Sequence, residues 1–497
     1  MNNITIRSSQ DGQKINRHIY GHFAEHLGRC IYEGIWVGED SHIPNVHGIR
    51  SDVVEALRRL NVPNLRWPGG CFADVYNWRD GIGLRSLRPT RLNFWGNVPE
   101  YNHFGTHEFM DLCEQIGCEP YFGGNVGSGS VREMRDWIEY LTSDDRESQL
   151  ANERRKNGRE KAWPVPFWGI GNENWGCGGN MTPEYYADLY CQYQNFMRTY
   201  SETPMMKIAS GYGGSDTDAE GLAVFMDRIT NRRHPVTTDG ISIHYYVYLR
   251  NQAKHSATQF GDDEWFEVLK HANYIEHVIE ENSKILDQYD PEKRMWLIID
   301  EWGAWYPHEP GTNPEFLYQQ NSMRDAVVAA LTLHIFQAHS DRVQMANIAQ
   351  TVNVLQAMML TDGEKMILTP TYHVFEMFKG HQDATLLPLE IECDPYTSGD
   401  DSLPIISASA SRAESGEILL TLCNLHPRDA QTIRCSLPET RDGQIDGVIL
   451  AADEITAHNT FNQPERVKPA SFSGASIMDD GSLEITLPAA SVIALHL

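Results

Sequence analysis

Hydrophobic runs recur along the first three quarters of this chain, and polar, helix-patterned segments separate them. Eight runs read as strands: Arg17–Phe23, Val62–Trp67, Glu119–Gly124, Pro166–Glu173, Met206–Ser210, Gly240–Tyr245, Met295–Glu301 and Val343–Ala349. They are nearly continuous in apolar residues rather than alternating, the pattern of strands covered on both faces. Between several of them the period changes to that of a helix. Ser51–Leu60 sets Val53, Val54, Leu57 and Leu60 on one face, and Thr106–Ile116 does the same with Phe109, Leu112, Cys113 and Ile116. Thr182-Pro183-Glu184 has the cap and first-turn proline of a helix start. Strands alternating with helical crossovers predict an α/β fold, a (β/α)8 TIM barrel over residues 17–380. A doubly wound open sheet is the alternative, but the glycine fingerprint expected at its first strand–helix turn is absent.

Beyond residue 381 the helical period disappears. Short strand-like runs (Leu403–Ser409, Glu417–Cys423, Gly447–Leu450, Ser482–Leu487, Ser491–Leu497) are separated by Pro, Gly, Asp and Asn. This texture predicts a C-terminal antiparallel β-sandwich over residues 381–497. Residues 1–16 precede the barrel, and the strand at Ile4–Arg7 needs a partner sheet, so it is expected to join that sandwich.

Two of the barrel runs end in chemistry. Trp168-Gly169-Ile170-Gly171-Asn172-Glu173-Asn174-Trp175 and Met295-Trp296-Leu297-Ile298-Ile299-Asp300-Glu301-Trp302 each carry a glutamate flanked by tryptophan at the strand's C-terminal end, where barrel enzymes keep their active sites. Two carboxylates facing each other across one pocket are what glycoside hydrolysis requires. Glu173 suits a general acid, with Trp168 and Trp175 as an apolar wall. Asn172 suits a hydrogen bond to a sugar hydroxyl. Glu301 suits a nucleophile, which must stay ionised and be held by donors; His244 and Tyr246 on the neighbouring strand are candidates for that role. Arg66, in Leu65-Arg66-Trp67-Pro68-Gly69-Gly70-Cys71, is placed to pair with a catalytic carboxylate. Cys71 after it reads as an ordinary buried thiol. His22, Glu25 and His26 follow a zinc-protease order, but that motif belongs on a helix and here follows a strand, so no metal is expected.

Composition narrows the field. The chain has 497 residues, too long for one compact core. Twelve Trp and 21 Tyr exceed what packing alone suggests and fit flat sugar-binding platforms as well as a core. With 41 Lys and Arg against 68 Asp and Glu, the net charge of −27 disfavours nucleic acid and anionic membranes and suits a neutral substrate. Nine scattered cysteines without a CxxC pair argue against a disulfide framework or a zinc site and for reduced thiols in a cytoplasm. The N-terminus lacks an apolar signal-peptide core and no run is long enough to span a bilayer, so a cytoplasmic protein acting on imported fragments is expected.

Taken together, these strings resemble glycoside hydrolase family 51, the intracellular α-L-arabinofuranosidases. The resemblance rests on Gly171-Asn172-Glu173-Asn174-Trp175-Gly176-Cys177-Gly178-Gly179, Arg66-Trp67-Pro68-Gly69-Gly70 and Asp300-Glu301-Trp302-Gly303. Tyr20-Gly21-His22-Phe23, His107-Glu108-Phe109 and Met345-Ala346-Asn347-Ile348-Ala349-Gln350 support it. It implies a retaining exo-acting enzyme without cofactor, with Glu173 as acid/base and Glu301 as nucleophile. It further implies that Glu25, Cys71, Asn172, Tyr246 and Gln350 bind the arabinofuranose, with Trp305 at the pocket edge. Many members carry Asn where this chain has Cys71, and a subset shares the Cys. A homo-oligomer, often a hexamer, and arabinose-containing oligosaccharides as substrates are further implications. An endo-glucanase or β-xylosidase on a related barrel, and a sugar-binding protein that does not cleave, are the rival readings.

Overall fold

The computed structural model describes residues 2–8, 12–211, 219–249, 255–439 and 445–497. Eight parallel strands close into a barrel: β1 (Gly21–Phe23), β2 (Asn64–Trp67), β3 (Glu119–Gly124), β4 (Phe167–Ile170), β5 (Met206–Ser210), β6 (Gly240–Tyr248), β7 (Trp296–Trp305) and β8 (Val343–Ala349). Each strand pairs with its sequence neighbours, and β8 closes on β1. Helices cross over outside it, among them α1 (Ser51–Arg59) between β1 and β2 and α2 (Thr106–Ile116) between β2 and β3. The first run differs from its expected form. Arg17–Tyr20 is a 3-10 turn, whose start Asn16 caps by accepting from the His18 N–H, and only Gly21–Phe23 enters the sheet.

Side chains alternate across the barrel wall. Tyr121, Phe167, Ile208, Ile298 and Met345 pack together in the lumen. Their strand neighbours face the helix layer. Trp168 is fully buried there against Phe122 and Trp137, with ring centroids 5.3 and 5.2 Å away. Trp302 is likewise buried outside the lumen against Phe336 and Phe375. Of the two tryptophans expected to wall Glu173, only Trp175 lines the pocket. The period of two explains this: on a pleated strand the residue beside an inward one points outward.

β6 and β7 run longer than expected and stay paired as far as Tyr248 and Trp305, beyond the rim of the barrel. Their register slips between Ser242 and His244, and that of β7 against β8 slips between Ile299 and Trp302. A bulge of this kind re-aims side chains. Here it lets two consecutive residues, Asp300 and Glu301, both reach the polar cluster at the mouth.

The second body is two packed sheets of mostly antiparallel strands. One has five strands in the order Leu389–Glu392, Asn2–Ile6, Gln431–Ser436, Leu483–Leu487, Ala475–Ile477; Asn2–Ile6 is antiparallel to the first and parallel to the third. The other has six, built around Ile406–Arg412, Ile418–Asn424 and Val492–His496. A helix between β7 and β8, Met323–Ala338, is buried along almost its whole length, with Arg324, Asp325, His334 and Gln337 among its apolar residues. It touches β7 on one side and the six-stranded sheet on the other, so it joins barrel to sandwich.

Candidate active site

The C-terminal ends of the barrel strands open into a cavity of about 240 Å³. Glu25 just past β1, Glu173 just past β4 and Glu301 on β7 reach it, together with His244, Tyr246 and Gln350. Carboxylate oxygens of Glu173 and Glu301 and a ring nitrogen of His244 lie within 4.8 Å of one another.

Glu301 is held on both oxygens. Arg66 Nη1 donates to Oε1 at 2.8 Å, and the Tyr246 hydroxyl donates to Oε2 at 2.7 Å. Arg66 also donates from Nη2 to Asn172 Oδ1 at 2.7 Å and pairs through Nε with Asp300 at 3.1 Å. One buried guanidinium thus fixes the nucleophile candidate, its neighbouring acid and the amide beside Glu173. Gly70 is required at the turn after β2, since a Cβ there would meet Glu301 Oε1 at 2.4 Å.

Glu173 lies past the end of β4, in a turn where its own φ is +36°. A non-glycine residue in this region is strained, and such strain persists only where the surroundings fix it. The loop is tight: a Cβ on Gly178 would lie 1.7 Å from the Asn172 carbonyl oxygen. Behind it sits Asp74, buried, whose Oδ1 accepts from the Val126 and Gly127 N–H groups at 3.1 and 2.7 Å. Burial pushes the Asp74 carboxyl up to about 7, against the pull of those N–H groups. It draws the loops after β2 and β3 together beneath the Glu173 turn. Sequence reading did not single it out. Its only signal was an acid four residues past a Pro-Gly-Gly turn.

His244 faces carboxylates through both ring nitrogens. Nδ1 lies 2.8 Å from Glu173 Oε1 and 3.5 Å from Glu301 Oε2, and Nε2 lies 3.2 Å from Asp300 Oδ1. It is therefore nearer the acid/base candidate than the nucleophile it was expected to serve. Burial alone would lower its pKa, but the Glu301, Asp300 and Glu173 carboxylates outweigh burial and raise it to about 10, so the ring is an imidazolium. Asp300 was read as the end of an apolar run and as part of the string around Glu301, with no role of its own. Burial opposes its charge, but Arg66, His244 and Ser242 together hold it well below the usual carboxylate range. Tyr121 also donates to it, at 2.7 Å. An acid directly following Leu297-Ile298-Ile299 and adjoining Glu301 was the available signal.

Glu25 Oε1 accepts from the Gly70 and Phe72 N–H groups, both at 3.1 Å, and Gln350 Nε2 donates to Oε2 at 3.0 Å. Burial and the Glu301 charge push its carboxyl up to about 7. Trp305 stands at the rim in edge contact with Tyr246 and Tyr248. Trp95 and Leu317 close the other side, from two loops that meet where the Gly96 N–H donates to Glu315 at 2.8 Å. His22 and His26 do not join Glu25. His22 is buried against Phe375, and His26 pairs with Glu100 at 2.9 Å.

Cys71 departs from its expected form. It is bonded to Cys177 in a disulfide at the pocket wall, while the other seven cysteines are free. The expectation of reduced thiols throughout is corrected for this pair. Its members lie 106 residues apart, and only the convergence of two barrel loops brings them together. Two groups of donors in the pocket have metal-ligand spacing, Cys71–Glu173–Cys177 and Glu173–His244–Glu301. Among the described residues, no helix is long and apolar enough to cross a membrane.

Comparison with known proteins follows the same lines. Residues 56–265 match the model of the α-L-arabinofuranosidase 1 domain, and residues 300–491 match that of the α-L-arabinofuranosidase C-terminal domain. An intracellular exo-α-L-arabinofuranosidase of Bacteroides ovatus is 49% identical over 99% of this chain and 95% of its own. The crystal structure of the GH51 arabinofuranosidase from Xanthomonas axonopodis pv. citri superposes with a TM-score of 0.96 at 47% identity, covering 100% of this chain and 99% of that one. That of the α-L-arabinofuranosidase from Thermotoga maritima, an arabinose complex, gives 0.83 at 30% identity with full coverage of both. This chain belongs to the α-L-arabinofuranosidases of glycoside hydrolase family 51.

Proposed function

We propose that the protein is a retaining exo-α-L-arabinofuranosidase that removes terminal non-reducing arabinofuranosyl residues by double displacement. The observation that carries this is the proximity of the Glu173 and Glu301 carboxylates, with oxygens within 4.8 Å. Retaining glycosidases hold their two carboxyl groups about 5–5.5 Å apart, and inverting ones leave about 6.5–9.5 Å for a water.

In this reading Glu301, held in place by Arg66 and Tyr246, attacks C1. The C1–O bond to the leaving group breaks, and Glu173 gives its proton to that oxygen. Glu173 then takes a proton from water, whose oxygen displaces Glu301 from C1 and frees arabinose. Glu25, Asn172, Tyr246 and Gln350 grip the furanose hydroxyls, Cys71 borders the sugar, and Trp305 meets it at the rim. Arg66 and His244 act through the carboxylates they contact.

The same proposal assigns residues 17–380 to the catalytic barrel, 381–497 to the sandwich, and 1–16 to a strand contributed to that sandwich. A cytoplasmic location is supported by the intracellular relative, and a homo-oligomer, hexameric by family resemblance, is the expected assembly. Fragments of arabinan or arabinoxylan are the expected substrates.

The test is hydrolysis of an aryl α-L-arabinofuranoside followed by proton NMR. The α anomer of arabinose should appear first. Initial release of the β anomer would overturn the double displacement, and hydrolysis confined to aryl glucosides or xylosides would overturn the sugar assignment.

A further inference from the structure

Glu173 presents its two oxygens to different surroundings. Oε1 faces His244 Nδ1 at 2.8 Å. Oε2 faces sulfur: Cys177 Sγ at 3.3 Å and Cys71 Sγ at 3.9 Å. Among the described residues no N–H or O–H group is in hydrogen-bond contact with Oε2. In the disulfide neither sulfur carries a hydrogen, so this wall gives Oε2 nothing to accept. Oε2 is thus the oxygen turned toward the disulfide, and a general acid needs its proton on the side that meets the leaving group.

We propose that the Cys71–Cys177 disulfide is a positioning element for acid catalysis, and that its reduction to two thiols selectively weakens proton delivery by Glu173. This rests on the acid/base role given to Glu173 above. Each thiol would gain an S–H aimed at Oε2. A hydrogen bond to the charged form of a carboxyl favours that form. The other charged or titratable groups facing Glu173 stay as they are: His244 and Tyr246 on β6, Glu301 on β7 with Asp300 behind, and Arg66 through Asn172. Reduction also cuts the one covalent tie between the loop after β2 and the strained turn that carries Glu173.

The chemistry balances with a dithiol reductant. One thiolate of the reductant attacks Sγ of Cys177, the more exposed of the two residues. The S–S bond breaks and Cys71 leaves as a thiolate that takes up a proton. The second thiol of the reductant then displaces Cys177 Sγ, which is protonated in turn. The protein gains two electrons and two protons, and the reductant closes into a cyclic disulfide.

The experiment compares oxidised enzyme with enzyme reduced by dithiothreitol and kept anaerobic, the state of each cysteine being read by alkylation and mass spectrometry. Each form is assayed on an arabino-oligosaccharide, whose leaving group needs a proton, and on an activated nitrophenyl arabinofuranoside, which needs little help. The readout is kcat/KM, which ends at the first irreversible step. Reduction should lower kcat/KM about ten-fold on the oligosaccharide. On the activated glycoside the change should stay within about two-fold, because that step draws little on the acid. Cys177→Ser should behave like reduced enzyme and ignore dithiothreitol. Equal losses on both substrates would make the disulfide a structural fastener only and overturn the proposal. So would unchanged rates after confirmed reduction, or alkylation of Cys71 and Cys177 in fully active, unreduced enzyme. Oxidised enzyme that releases arabinose from neither substrate would instead overturn the activity itself.

Discussion

Two sites of buried histidine in this molecule have opposite electrostatics. At the seam between barrel and sandwich, His334 bonds Ser407 and Thr421, and His381 bonds Ser411 and Thr421, at 2.7–3.0 Å. Burial lowers the pKa of both, His381 to about 3. They are neutral rings that share protons with hydroxyls and tie two strands of the six-stranded sheet to the helix Met323–Ala338 and to the turn Lys379–His381. At the barrel mouth His244 is as deeply buried, yet Glu301, Asp300 and Glu173 raise it to about 10. Burial by itself neutralises a histidine. A charged one inside a protein reports a cluster of opposite charge, and such clusters are kept where chemistry needs them.

The comparison predicts that the mouth carries activity and the seam carries stability. The largest effect is expected from Glu301→Ala, which should cut kcat at least about 10⁴-fold on every substrate, since no covalent intermediate can form. Retention of more than a hundredth of wild-type turnover, in protein free of contaminating wild type, would remove Glu301 from the nucleophile role. Glu173→Ala should follow, with losses of about 10²–10⁴-fold on substrates with poor leaving groups. Activated aryl glycosides should suffer less, and added azide should restore turnover as an α-configured glycosyl azide, because it displaces Glu301 from C1 on the face that water uses. Equal losses across leaving groups would sink the division of roles.

His244→Gln should come third, at about ten- to a hundred-fold in kcat/KM, and it also tests the electrostatics. The native ring holds its proton up to about pH 10, whereas an ordinary histidine releases it near 6.5. The stabilisation from this group is complete below 6.5 and is lost as pH rises through 10. Wild type should therefore lose melting temperature across that window relative to the variant. Parallel curves would contradict the charged ring. The smallest effect on activity is expected at the seam. His381→Leu leaves Ser411 short of a partner and should cost about 1–3 kcal/mol in denaturant titration, with kcat/KM unchanged in the folded protein. A change in kcat/KM larger than that in stability would blur the contrast.

How much of this was legible before folding differs from residue to residue. The eight runs announced a barrel because strands covered on both faces must be apolar throughout, and a glutamate ending such a run is conspicuous. Glu173, Glu301, Arg66 and Tyr246 were found on that ground, and they converge in the structure. Trp168 was misplaced because a string of letters does not show which face of a pleated strand each residue takes. Asp300 was given no role of its own because only the bulge in β7 turns it inward beside Glu301. His244 was given to Glu301, since the order of strands was known but the reach of each side chain was not.

Local pattern decided what could be decided by neighbours in sequence: the period of two or 3.6, the caps, the glycine turns, and the change of texture after residue 381. Tertiary structure alone decided what depends on residues far apart meeting. The union of Cys71 with Cys177, the salt bridges of Arg66 to both Asp300 and Glu301, and the imidazolium of His244 are all of that kind. Charge state and covalent pairing are set by distance through space and by exclusion of water. Neither quantity exists until the barrel closes.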